Sequence, residues 1–150
     1  MDIDLILAIA HHLAVFTLVA IFAVEFALIR PGLAAPAVQQ LGRIDGAYGA
    51  AAGVVIIIGI IRVIFGASGW EYYVGNHMFW GKMAAFLLVG LLTVPPTLAI
   101  RRWAKNLSEN PSYVPPVGEI AASRRFIHLQ AGFLVFILIF AAAMARGYGS

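Results

Sequence analysis

The sequence predicts an all-α integral membrane bundle of four transmembrane helices, with both termini outside. Three observations carry that prediction. Of 150 residues, 62% are hydrophobic and 11% charged, whereas soluble domains carry about 25% charge. The apolar residues come in four blocks long enough to span a bilayer, not in the short alternations of a sheet. The basic residues gather at the ends of those blocks, as topology signals do. A single domain over residues 1–150 is expected, because four spans and their loops consume the chain.

The first block, Leu5–Ile29, contains 25 residues, which as a helix rise about 37 Å. Pro31 and Gly32 end it, after Arg30 as a snorkelling anchor. Its acidic start, MDIDLIL, lacks the basic region of a cleavable signal, so the span is expected to be retained. Residues 31–45 read as a connection. The second span is predicted over 47–65. Gly42, Gly46, Gly49 and Gly53 line one face of its entry, the small-residue pattern by which membrane helices approach one another. That face is a candidate packing surface, within the bundle or in a homo-oligomer.

Trp70, Tyr72 and Tyr73 place the second connection at the headgroup level. The third span is predicted over 78–100, with Pro95 and Pro96 bending or ending it early. Residues 106–123 read as the longest polar loop, and 126–145 as the fourth span.

Charge sets the orientation. The first and third connections hold Arg30, Arg43, Arg101, Arg102, Lys105, Arg124 and Arg125, while the other side has Arg62, Lys82 and Arg146 near span ends. Both termini are therefore expected to be periplasmic in a bacterial inner membrane. The sequence pI is about 9.6, but the cations form no single basic face, so the bilayer is the expected partner and nucleic acid is not.

Buried polar residues sort into two layers. His11, His12, Arg62, His77 and Lys82 lie toward the outer leaflet; Glu25, Arg43, Arg125 and His128 lie toward the inner one. Asp4, His11, Leu18 and Glu25 recur every seven residues and share one stripe, which should face the interior because a lipid-facing Glu25 would cost several kcal/mol. Histidines on different helices of a bundle can hold b-type haem. In this reading His11 or His12 is one metal ligand, His77 or His128 a second, and Arg62 and Lys82 bind the propionates. Histidines that only hydrogen-bond within the bundle are the plainer reading. In the inner layer, Glu25 is expected to pair with Arg43, Arg125 or His128 as a structural ion pair. A copper site from His11, His12, Met78 and Met83 would lack a methionine-rich repeat. There is no cysteine and no phosphate-binding, zincin or nucleophile-elbow motif.

The segments HHLAVFTLVAIFAVEFALIR, LGRIDGAYGAAAGVV, FWGKMAAFLLVGLLTVPPT and RRFIHLQAG together resemble an uncharacterised bacterial family of small four-helix membrane proteins. More distantly, the first-span histidine and the aromatic-x-Lys element at Lys82 resemble membrane-type protoporphyrinogen oxidase and copper-resistance membrane proteins. The oxidase resemblance implies haem b and a redox role in porphyrinogen oxidation or electron transfer to quinone, with porphyrin or quinone as partner. In that element a histidine precedes the lysine by two residues; here Trp80 stands there, with His77 further upstream. The competing class is a cofactor-free interaction or transport component that associates through its glycine face.

Overall fold

A computed structural model describes residues 2–149; Met1 and Ser150, the ends of the expected domain, lie outside the described residues. Five helices run in order: α1 (Ile3–Leu28), α2 (Ala35–Phe65), the short α3 (Gly69–Gly75), α4 (His77–Glu109) and α5 (Val117–Ala145). The four long ones are all apolar enough to cross a membrane. Side chains such as Phe16, Ile57, Leu87, Leu91 and Val135 point outward on their flanks, an apolar coat that suits lipid and not water.

α1 packs along α2, and α4 along α5; α2 against α4 joins the two hairpins, with only slight contact between α1 and α5. In the first hairpin the backbone amide of Ala67 donates to Asp4 Oδ1 at 3.1 Å. A Cβ at Gly59 would lie 3.5 Å from His11 Cε1. The Phe22 and Tyr48 rings lie 5.9 Å apart. This antiparallel register sets the heptad stripe Asp4, His11, Leu18 and Glu25 against a second heptad series that starts at the C-cap of α2 and runs back along it: Gly66, Gly59, Ala52 and Asp45. Glu25 and Asp45, both 4% exposed, therefore meet across the seam.

Three sequence expectations change. α2 begins at Ala35, with Pro36 in its first turn where the missing amide costs nothing. α4 continues unbroken through Pro95 and Pro96 to Glu109. The loop expected over 106–123 shrinks to the stretch between Asn110 and Pro116. These extensions bring α2, α4 and α5 together beyond their apolar spans, around Val38, Leu41, Trp103, Leu107 and Ile120. Glu119 clasps that end, accepting from Trp103 Nε1 at 2.7 Å and from Arg102 at 2.8 Å.

At the opposite end, Asn76 is fully buried. Its side-chain oxygen caps α4 by accepting from the Met78 and Phe79 amides, and its amide donates to the Tyr148 carbonyl. The amino-terminal turn, the α2–α3 loop and the carboxyl-terminal tail thus share one end of the bundle.

Candidate functional site

Between the hairpins, in the half that holds this end, the helices leave a cavity of about 550 Å³. α1 contributes His11, α2 contributes Arg62 and α4 contributes Lys82; Val15, Leu18, Val55, Phe86 and Leu134 form its apolar walls. His11 faces Gly59, where an added Cβ would stand in ordinary van der Waals contact with the imidazole, so the ring packs directly against the α2 backbone at the α1–α2 seam. Lys82 reaches inward one turn from the capped start of α4, with its amine 5.4 Å from the Phe79 ring centre.

His11 Nδ1 and Arg62 Nε are buried without a hydrogen-bond partner. Among the described residues lining the cavity, none is acidic. Two cationic side chains and an imidazole thus converge in an apolar chamber that supplies them with no counter-charge. Such a chamber suits a ligand with an apolar body and an anionic edge, and its volume lies within the ordinary range of ligand pockets, about 300–1,000 Å³.

The remaining outer-layer candidates stand elsewhere. His12 points away from the interior, is exposed, and its Nδ1 donates to the Ala8 carbonyl at 2.7 Å. That is the consequence of the roughly 100° turn between adjacent helical residues. His77 is the exposed first residue of α4, its backbone amide held by the Gly149 carbonyl at 2.9 Å. Trp80, at the position where the oxidase-like element carries histidine, is 54% exposed and donates to the Val74 carbonyl. Tyr73, expected at the headgroup level, also lines the cavity, together with Phe79 and Met144, which sequence reasoning did not single out. Their apolar and aromatic character gives no signal beyond core or interface.

The inner-layer candidates also separate. His128 is exposed; its ring lies 4.7 Å from Phe26 and its Nδ1 donates to the Arg124 carbonyl. Phe26 lies fifteen residues beyond His11, about 22 Å along α1, too far for His128 to share a metal with His11. Arg43 and Arg125 are exposed. Arg124 donates to the Ile29 carbonyl at 2.7 Å. The expected ion pairs of Glu25 with Arg43, Arg125 or His128 do not form among the described residues, where the bridges are Arg102–Glu119 and Lys105–Glu109. Glu25 follows the interior stripe toward Asp45 while the arginines follow the rim.

The glycine face is likewise unfilled from within. A Cβ at Gly42 would meet Ala104 at 3.9 Å, but Gly46, Gly49 and Gly53 have open space beside them. No group of three or more His, Cys, Asp or Glu side chains clusters as a metal centre among the described residues.

The fold and its polar interior define a small four-helix membrane protein. Residues 3–149 match the model of the family described as "Predicted membrane protein (DUF2214)", and the chain belongs to that family. No curated protein and no solved structure matches the chain. The likeness to protoporphyrinogen oxidase and copper-resistance proteins therefore has no counterpart in these comparisons.

Proposed function

We propose that the outer cavity binds haem b and that the protein serves a membrane redox reaction, porphyrinogen oxidation or electron transfer to quinone. One observation carries this reading: His11, Arg62 and Lys82, from three different helices, line a single apolar cavity. The donor set fits the group in kind. An imidazole can ligate iron, and two cations suit the two carboxylates at the edge of an otherwise apolar macrocycle. His77 and His12 drop out of the ligand set, leaving His11 as its sole histidine. Of the other wall residues, Met83 and Met144 carry thioethers, a ligand type found opposite histidine in haem proteins. Bound haem would supply one-electron chemistry. The chain's own part is to fix the ring edge through Arg62 and Lys82, keep water out with the aliphatic walls, and hold the His11 ring against Gly59. In this reading the bundle sits in a bacterial inner membrane with both termini periplasmic.

The test is an absorption spectrum of protein purified in detergent from haem-replete cells. A Soret band that shifts on reduction, and is lost in His11→Ala with the helical circular dichroism unchanged, is the expected result. Colourless protein under those conditions would overturn it.

A second reading has its own observation. The open glycine face at Gly46, Gly49 and Gly53 favours a cofactor-free component that associates through this surface, with a second copy packing against it. Replacing Gly49 with Leu would then dissociate an oligomer seen by mass photometry, and would leave any haem spectrum untouched.

A further inference from the structure

The inner half of the first hairpin holds a different kind of site, independent of the haem reading. Glu25 and Asp45 are each 4% exposed. They meet in the register fixed by Asp4 with Ala67, His11 with Gly59, and Phe22 with Tyr48. Asp45 accepts a hydrogen bond from the Thr97 hydroxyl at 2.5 Å, whereas Glu25 Oε2 is buried with no partner.

The surroundings carry no cation toward the pair. α1 contributes Glu25 alone, and α2 contributes Asp45 with Tyr48 beside it. α4 contributes the neutral Thr97. The basic groups at this end look elsewhere: Arg124 is engaged with the Ile29 carbonyl, His128 with Phe26 and the Arg124 carbonyl, Arg102 with Glu119, and Arg43, Arg101 and Arg125 are exposed.

Two ionised carboxylates cannot stand side by side there. Each would lose its hydration at a cost of several kcal/mol, and their repulsion is strongest where water is excluded. A pair of like acids relieves both penalties by retaining one proton and titrating as a unit. We propose that Glu25 and Asp45 form a proton-binding site in the inner half of the membrane, holding one exchangeable proton between them. Asp45 already accepts from Thr97, whereas Glu25 Oε2 has no partner, so Glu25 is the carboxyl on which the shared proton rests. The site lies about one turn from the inner end of α1, beside the arginine-rich rim, so a proton has a short route to the aqueous phase at that face.

A lipophilic carbodiimide tests this on the intact wild-type protein, with or without haem. The reagent reacts with a protonated carboxyl in apolar surroundings: the carboxyl oxygen bonds to the central carbon and the proton moves to nitrogen, so the adduct retains every atom of both. The expected result is a single adduct mapped to Glu25 by peptide mass spectrometry. Its yield should fall as pH rises, and it should disappear in Glu25→Gln. A water-soluble carbodiimide should instead modify exposed acids such as Glu109. If folded protein shows no adduct at Glu25 or Asp45, the proposal fails. It also fails if sodium ions at constant pH block the adduct, because an alkali cation would then occupy the pair.

Discussion

Gln130 shows how a single side chain rescues a helix that its own sequence should break. Pro96 has no amide hydrogen, so the carbonyl of Leu92, four residues earlier, loses its intrahelical partner. Gln130 on α5 donates to that carbonyl at 3.2 Å, and its oxygen accepts from Thr93 at 3.0 Å. The residue is 2% exposed, and hydrocarbon offers no substitute partner. Gln130→Leu should lower unfolding stability by about 1–2 kcal/mol, read as a drop in melting temperature in detergent. An unchanged melting temperature would mean that the freed carbonyl finds another donor. Glu25 behaves oppositely. Its Oε2 is unpartnered, so Glu25→Gln should leave the melting temperature unchanged or raise it, unlike the loss expected on breaking a buried ion pair, about 3–5 kcal/mol. Stability retained without this carboxylate is the mark of a residue kept for something other than folding.

At the scale of elements, the pairing of helices depends on positions whose residue types say little. The stripe Asp4, His11, Leu18 and Glu25 is legible in the sequence because three of its members are polar. Its partner series, Ala52 and Gly59 on α2 with Gly66 at its cap, looks like any other set of small residues, while the more conspicuous run Gly42, Gly46, Gly49 and Gly53 is largely unpacked. The convergence of His11, Arg62 and Lys82 was readable from depth alone, since all three lie near the same ends of their spans. The exclusion of His12 and His77 was not, because it depends on helix phase for one and on the Asn76 cap for the other. That α4 does not end at Pro95 and Pro96 has a non-local reason: the compensating amide lies 34 residues on from Pro96, in α5. In the second hairpin, α4 and α5 come close at Gly81, where an added Cβ would lie 2.9 Å from Phe140 Cε1. Alanine can be absorbed by rotation of the ring, but Gly81→Val should push α4 from α5 and cost about 1–3 kcal/mol. A second-site Phe140→Ala should recover part of that loss, and failure to recover any would show that the strain lies in the helix itself.

Across the whole molecule, the two ends differ in construction as well as charge. One end is a packed extension around Trp103, fastened by Glu119 and ringed by arginines; the other is an aromatic cap over a cavity. Four spanning helices put both termini on the cavity end, and the structure joins that end through Asn76 to Tyr148 and Asp4 to Ala67. The basic rim should then lie in the cytoplasm, because Lys and Arg in short loops set orientation. The chain has no cysteine, so single introduced thiols report topology without background. Ser112→Cys, in the exposed turn after α4, should resist a membrane-impermeant maleimide applied to intact spheroplasts and react once the membrane is opened. Ser68→Cys, in the exposed loop before α3, should react in both conditions. The reverse pattern would invert the bundle. It would move the cavity to the cytoplasmic leaflet, where its ligand would have to arrive from inside the cell, and the Glu25–Asp45 pair would exchange its proton with the periplasm instead.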